Sequence, residues 1–157
     1  MNFLHCQRQH YIDAVILMGG NICGNTGYED DAFFSLGALE AEIKSNEVLG
    51  IVPMPGWLLS QGIAVTHAGD PIPGWMQYDN DIKQNPNTLE VTHVDGEPID
   101  PDKIYCVATK ISDLTNGQSW PLTEFYSSHP NFLPPKGAYL NIQSELMTYC
   151  KSKSNKA

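Results

Sequence analysis

The sequence predicts a single α/β (α+β) domain in which a mixed sheet packs between helices. Its 157 residues, 41% of them hydrophobic, suit one domain with an ordinary core. The first half alternates short apolar runs with segments of helical spacing, as strands joined by helices do. The second half carries strand-like segments separated by turn residues, which is typical of an antiparallel meander.

Five strands account for the apolar and alternating runs. Residues 14–18 are five apolar residues that stop at a pair of glycines, the pattern of a strand buried on both faces. Residues 48–52 predict a second buried strand. Residues 75–79 alternate loosely, residues 89–94 alternate cleanly, and residues 103–109 return as a further strand.

Four helices are predicted between and after these strands. Ser35 caps the first helix, on which Glu40 and Glu42 face outward. Pro55 suits the first turn of the second, in which Trp57 belongs to the apolar side. A short helix is predicted over residues 122–128, and a closing amphipathic helix over residues 138–150.

The charge balance argues against two classes of partner. Eighteen acidic residues against nine basic ones give a net charge of −9, and no basic cluster is present to neutralise nucleic acid or an anionic membrane. The apolar runs are far shorter than the ~20 residues that span a bilayer. The first dozen residues also lack the apolar region of a signal peptide. We expect neither nucleic acid nor a membrane as partner, and the sequence leaves the localisation open.

The four cysteines are expected to be free thiols. Cys6, Cys23, Cys106 and Cys150 form no C-x-x-C pair and have no neighbours at metal-ligand spacing. Cysteine without such partners commonly behaves as a small hydrophobe.

The loop after the first strand reads G-x-x-x-x-G-N-T over residues 19–26 and superficially matches a phosphate-binding P-loop. A P-loop requires a lysine for the phosphates and a helix that starts at once. Asn25 stands at the lysine position, and an acidic segment, residues 29–31, follows. We therefore expect a strand-ending loop whose glycines permit positive φ, rather than an NTPase site.

The other chemistry-bearing residues predict no catalytic site. None of the five histidines has a partner at ligand spacing, and serine and cysteine nucleophile motifs are missing. Asp95, Asp100 and Asp102 have the spacing of a turn rather than of paired carboxylates. Aromatic pairs such as Trp120 with Phe125 are either core residues or a stacking surface for a planar base.

The polar loop over residues 115–119 is the better functional candidate. It follows a predicted strand and is rich in hydrogen-bonding side chains. Loops of this kind often line pockets.

Three segments together carry a family resemblance. Residues 18–24, M-G-G-N-I-C-G, match N-G-G-G-I-R-G, and residues 34–39, F-S-L-G-A-L, match a threonine-leucine-glycine-rich helix start. Residues 94–109, V-D-G-E-P-I-D-P-D-K-I-Y-C-V-A-T, are close to V-N-G-K-P-L-D-P-x-K-x-Y-x-V-A-T. These are motifs of the 5′-nucleotidase family of two-domain metallophosphoesterases, whose C-terminal domain the chain resembles from about Asp13 to Cys150.

The resemblance implies a domain that grips the nucleoside part of a substrate, while a separate N-terminal domain holds two divalent metal ions and performs the chemistry. The D-x-H and G-N-H-[DE] motifs of that domain occur nowhere in this chain. We therefore expect no cofactor and no catalytic residue here. Residues 1–12 are interpreted as the remnant of a truncated helix, residues 13–150 as the domain, and residues 151–157 as a disordered tail. Members of the parent family are often exported, but this chain shows no signal peptide, and its localisation stays open.

The resemblance also assigns candidate binding residues. The family's loop asparagine and arginine fall on Met18 and Cys23, and its two stacking phenylalanines fall near Ser45 and Ser112. The family's G-G-D-G-[FY] loop corresponds to residues 116–120. The implied substrate-binding residues are Gly19, Gly20, Asn21, Cys23, Asn116, Gly117, Gln118 and Trp120.

The resulting hypothesis is a nucleotide-recognition domain of a 5′-nucleotidase-like, metal-dependent phosphoric ester hydrolase of nucleotide catabolism, inactive in isolation. Its expected partners are a nucleotide or nucleoside-like molecule and a metallophosphoesterase domain in the same or another chain. Because Cys23 lacks the arginine fork, nucleotide affinity should be weak or the ligand different. The alternatives are a non-catalytic small-ligand or protein-binding module, and a gene fragment without function.

Overall fold

A computed structural model describes Cys6 and residues 11–23, 27–33 and 35–154. It confirms the predicted α/β class, because a mixed sheet packs with helices around one apolar core. The strands are β1 (Ala14–Met18), β2 (Val48–Pro55), β3 (Met76–Tyr78), β4 (Lys83–Gln84), β5 (Val91–Val94), β6 (Glu97–Pro98), β7 (Ile104–Thr109) and β8 (Leu140–Asn141). The helices are α1 (Leu36–Glu42), α2 (Gly56–Thr66), α3 (Trp120–Ser128) and α4 (Ile142–Ser154).

The main sheet has five strands in the order β3-β1-β7-β2-β8. Strands β1 and β7 are parallel, with Ala14 opposite Val107, and the other neighbouring pairs are antiparallel. The second sheet, β4-β5-β6, is antiparallel. The predicted meander is therefore wrong, because β3 and β7 both belong to the main sheet, and β5 pairs with β4 and β6, two short strands that the sequence did not predict.

The hairpin between β5 and β6 turns through Asp95 and Gly96, with Val94 opposite Glu97. The φ angles of Asp95 and Gly96 are 53° and 81°. Two successive residues of positive φ suit a two-residue hairpin, for which Asp-Gly is a preferred sequence. The turn that the sequence predicts at Asp95 is thus confirmed.

The four predicted helices are present, with shifted ends. Ser35 Oγ accepts a hydrogen bond from the Ala38 amide at 3.1 Å, which is the predicted cap of α1. Helix α4 begins at Ile142 because β8 pairs with β2 just before it. It continues to Ser154, so residues 151–154 are helical and the predicted disordered tail is wrong there.

Three burial predictions are wrong. Strand β1 is buried on one face only, since Val15 is 39% exposed between the buried Ala14 and Ile16. Glu42 is buried because the segment before α1 folds back over it, and its Oε1 accepts from the Tyr28 hydroxyl at 2.9 Å. Trp57 is 41% exposed although it was placed on the apolar side of α2.

The core lies between the main sheet and helices α2 and α3. Its largest buried side chains include Ile16, Met54, Leu58, Leu59, Ile63, Leu122 and Tyr126. The Tyr126 hydroxyl donates to the Pro53 carbonyl at 2.9 Å, and burial raises the pKa of this phenol.

A disulfide joins Cys6 to Cys106 on β7, with a Cα–Cα distance of 5.5 Å. The free-thiol prediction is wrong for these two residues, because a pair 100 positions apart in sequence leaves no local motif. It is confirmed for Cys23, which is free and exposed. The Cys150 side chain lies outside the described part of the chain.

Candidate functional site: a polar cleft beside the glycine turn

The glycine turn is the short 3₁₀ segment Gly19–Asn21 that follows β1. The Gly19 amide donates to the Trp75 carbonyl and the Gly20 amide to the Pro73 carbonyl, both at 2.8 Å. A Cβ atom on Gly20 would lie 3.1 Å from Pro73. Neither glycine adopts the positive φ that the sequence predicted. Gly20 serves close packing against the facing segment instead.

The turn does not offer its backbone amides to an anion. The Ile22 amide donates to the Gly19 carbonyl at 3.0 Å, and the Cys23 amide donates to the Glu42 carbonyl at 2.7 Å. Together with Gly19 and Gly20, four amides of this region are bonded to backbone carbonyls. Phosphate-binding loops require such amides to point at the ligand. Within residues 19–23, the described part of the loop, the geometry is therefore unlike that of a P-loop.

A chain of polar side chains links the glycine turn to two other elements. Asn21 Nδ2 donates to Asp113 Oδ2 at 2.8 Å, and Lys110 Nζ donates to Asn21 Oδ1 at 2.9 Å. Lys110 Nζ also forms an ion pair with Glu47 Oε2 at 2.7 Å. We call Glu47, Lys110, Asn21 and Asp113 the polar chain. It ties the turn to the start of β2 and to the segment after β7.

Asp113 is the buried end of the polar chain, with 3% of its surface exposed. Its Oδ2 also accepts from the Met18 amide at 3.3 Å. Burial raises the pKa of this carboxyl, while the hydrogen bonds from Met18 and Asn21 and the charge of Lys110 oppose the rise. Asp113 therefore helps to position the glycine turn, because it accepts hydrogen bonds from Met18 and Asn21.

The loop over residues 115–119 contacts the same region, as the sequence suggested. Asn116 Nδ2 lies 3.5 Å from Met18 Sδ, and the Gln118 amide donates to Asn116 Oδ1 at 3.0 Å. Gly117 has a φ of 85°, which favours glycine. A Cβ atom on Gly74 would lie 2.5 Å from Gln118 Oε1, so this loop packs on the segment that also holds Gly20.

The structure thus brings most of the predicted binding residues to the end of β1. Gly19, Gly20 and Asn21 form the turn, and residues 116–118 pack beside it. Cys23 is exposed, with Sγ 3.9 Å from the Gly20 carbonyl oxygen. Trp120 instead lines a groove with Trp57.

A cleft of about 370 Å³ is lined in part by Lys110 and Glu47 of the polar chain. It lies between the end of the β7 segment and the start of β2, next to both positions where the resemblance places base-stacking residues, near Ser45 and Ser112. Its lining residues are Asn46, Glu47, Val48, Lys110, Ile111, Ser112, Thr115 and Tyr139. Sequence reasoning missed Tyr139, which follows a proline-rich turn and belongs to no motif.

The cleft suits a neutral ligand with hydrogen-bonding edges. It offers the half-buried Tyr139 ring, the Asn46 amide and the hydroxyls of Ser112 and Thr115. The charges of Lys110 and Glu47 neutralise each other across 2.7 Å. Ligand pockets commonly combine apolar surface with a few polar groups in volumes of roughly 300–1,000 Å³.

The residues do not fit the two divalent metal ions that the fold family implies. Within residues 11–23, 27–33 and 35–154 and Cys6, no group of three or more His, Cys, Asp or Glu side chains is placed to hold a metal ion. In the same ranges, no helix is long and apolar enough to cross a membrane.

The fold is that of a mixed α/β domain, and solved structures of known proteins share it. No protein-family model matches the sequence, and no curated protein matches it. The NAD nucleotidase of Haemophilus influenzae matches with a TM-score of 0.56 and 14% identity, over 84% of this chain and 24% of its own. A 5′-nucleotidase precursor from Thermus thermophilus matches with a TM-score of 0.53 and 12% identity, over 90% of this chain and 28% of its own.

The chain therefore spans about a quarter of the length of these nucleotidases. At such identities the similarity concerns the fold. It confirms, at that level, the resemblance to 5′-nucleotidases predicted from the sequence motifs.

Proposed function

We propose that this chain is a 5′-nucleotidase-type recognition domain that binds a nucleoside in the cleft beside Lys110 and hydrolyses no phosphate ester by itself. One observation carries the proposal. A cleft of about 370 Å³ lies next to both positions where the resemblance places the residues that hold the base. The fold shared with two nucleotidases supports this reading.

The charges around the cleft favour a nucleoside over a nucleotide. Lys110 is the cationic side chain of the lining, and it is already bonded to Glu47 and Asn21. Cys23 replaces the arginine of the family's loop, and the Cys23 amide is bonded to Glu42. A phosphate needs a free cation or free amides. Two of the three Lys110 donors are engaged, and Glu47 already neutralises its charge, so a phosphate would gain little there.

The base would lie against Tyr139, with its edge facing Asn46 and the neighbouring hydroxyls. Stacking of a base on an aromatic ring is worth about 1–3 kcal/mol. The amide of Asn46 can both donate to and accept from a base edge. Tyr139 is therefore the side chain expected to contribute most of the affinity.

Hydrolysis requires groups that this chain lacks. The family's metal motifs D-x-H and G-N-H-[DE] are missing from the sequence. A role in nucleotide catabolism would therefore depend on a metallophosphoesterase domain, in the same chain or another. Such a domain would hold the phosphate, which agrees with a cleft that selects the uncharged part of the substrate.

Titration calorimetry with adenosine, inosine, cytidine and their 5′-monophosphates tests the proposal. We expect at least one nucleoside to bind, and its monophosphate to bind no more tightly. Tyr139→Ala should weaken binding about tenfold or more, given the stacking energy. Phe33→Ala is the matched control, because Phe33 is 91% exposed and outside the cleft.

Two results would count against it. Monophosphates that bind much more tightly than nucleosides would contradict the charge argument. Phosphate release that persists in stringently purified protein with Mg²⁺ or Mn²⁺ would contradict the lack of activity. A Cys23→Arg variant should gain affinity for the monophosphate relative to the nucleoside.

A further inference from the structure

Helices α2 and α3 carry an aromatic surface that the nucleoside cleft does not use. A groove of about 320 Å³ between them is lined by Trp57, Gln61, Trp120, Glu124, Phe125 and His129, among others. Trp57 is 41% exposed and Trp120 is 60% exposed. Large exposed aromatic side chains that share one groove often mark a binding site. We call this the tryptophan groove.

Phe125 supports the groove from within. Its ring packs edge-to-face on Trp57 at 5.9 Å and stacks on His129 at 4.5 Å. The Nδ1–H of His129 donates to the Phe125 carbonyl at 2.9 Å, which leaves Nε2 of the neutral ring as an acceptor. Phe125 and His129 thus hold each other, while the exposed faces of the two tryptophans stay available.

A second groove of about 280 Å³ lies on the other side of Trp57. Its lining includes Gly56, Ser60, Glu90 and Ile99, and it shares Trp57 and Gln61 with the tryptophan groove. The two grooves therefore form one track that passes over Trp57. We call the second one the Glu90 groove.

The charges along this track have one sign. Glu124 is exposed in the tryptophan groove, and Glu90 is exposed in the second groove. Among the described residues that line either groove, none is a lysine or an arginine. The whole chain carries a net charge of −9, which attracts cations to it. Tryptophan faces are also the preferred aromatic partners of lysine and arginine side chains.

We propose that the track binds an extended basic segment of a partner protein. One arginine or lysine side chain lies against Trp57 and Trp120 with its charge beside Glu124, and a second reaches Glu90. A single small cation would fill one groove and leave the other carboxylate unpaired. Two joined grooves with one carboxylate each favour a chain that carries two spaced cations.

This site is independent of the nucleoside cleft. The lining of the two grooves shares no residue with that of the cleft. A failure of the peptide experiment would therefore not count against nucleoside binding, and a failure of the nucleoside titration would not count against peptide binding.

Fluorescence anisotropy with labelled synthetic peptides tests the proposal. The probes carry two arginines separated by glycine–serine spacers of increasing length, with glutamate replacing arginine in matched acidic probes. We expect the basic probes to bind with an optimal spacer and to weaken as salt is added. Trp57→Ala should weaken binding about tenfold. Glu124→Gln and Glu90→Gln should each weaken it roughly two- to fivefold.

Glu40→Gln is the matched control, because it removes the same charge from an exposed position on α1. It should leave peptide affinity unchanged. Trp57→Phe keeps an aromatic ring, and it should bind nearly as well as the parent if Trp57→Ala fails to fold.

Three outcomes would overturn the proposal. Basic probes that bind no better than acidic ones would exclude a basic partner. Free arginine amide that competes as well as the best peptide would show a site for small cations. An equal loss of peptide affinity in Glu40→Gln and Glu124→Gln would show that binding depends on the net charge of the chain and not on the groove.

Discussion

The disulfide between Cys6 and Cys106 gives the sharpest prediction about the stability of the fold. Both cysteines are buried, and the bond closes a loop across 100 positions of sequence. For a loop of that length, the chain-entropy estimate of the stabilisation is about 4.7 kcal/mol. Domains of this size are stable by only about 5–15 kcal/mol. A Cys6→Ala variant should therefore lose a third or more of its free energy of unfolding.

Urea unfolding, followed by tryptophan fluorescence, measures this loss. The parent protein with a reductant should behave like Cys6→Ala, because both lack the bond. Cys23→Ala is the matched control, since that thiol is free and exposed, and it should stay within about 0.5 kcal/mol of the parent. The reasoning fails if Cys6→Ala and Cys23→Ala unfold alike, or if non-reducing peptide mapping finds no linked pair.

The remaining predictions concern Asp113, the buried end of the polar chain, and Gly56, at the start of α2. Asp113→Ala removes the acceptor of the Met18 amide and of Asn21, so it should cost about 2–3 kcal/mol, and Asp113→Asn less. Because burial raises the pKa of Asp113 above 3.8, its contribution to stability is full at acid pH and falls as pH rises through the raised pKa. The stability advantage of the parent over Asp113→Asn should thus shrink from acid to neutral pH in urea unfolding, and a constant difference would contradict it. A Cβ atom on Gly56 would lie 2.1 Å from the Asp100 carbonyl oxygen, whereas one on Gly137 meets nothing within 4 Å. Gly56→Ala should therefore destabilise by at least ~2 kcal/mol and Gly137→Ala by almost nothing, and equal melting temperatures would refute this.

Local signals in the sequence were reliable guides to the elements. Ser35 predicted the start of α1, because a cap is set by one side chain and the amide three residues later. Asp95 and Gly96 predicted their turn, because few residues tolerate two successive positive φ angles. The strands β4 and β6 span two residues each, which is too short to show any period.

Features that depend on distant contacts escaped prediction. Glu42 was expected at the surface, but a turn from a preceding segment covers it. The pairing of Cys6 with Cys106 and the position of Tyr139 in the cleft result from the tertiary fold. The same holds for the glycine turn, because the amides of Gly19 and Gly20 are bonded to the carbonyls of Trp75 and Pro73, which are distant in sequence.

The most direct test of the nucleoside cleft is an amide chemical-shift map of the isotope-labelled chain during titration with adenosine or another nucleoside that binds. The account predicts saturable shifts clustered at residues 46–48 and 110–112, Thr115 and Tyr139, which line the cleft. The same titration of Tyr139→Ala should need about tenfold more ligand. Shifts confined to the tryptophan and Glu90 grooves, or no shifts with any nucleoside, would contradict it.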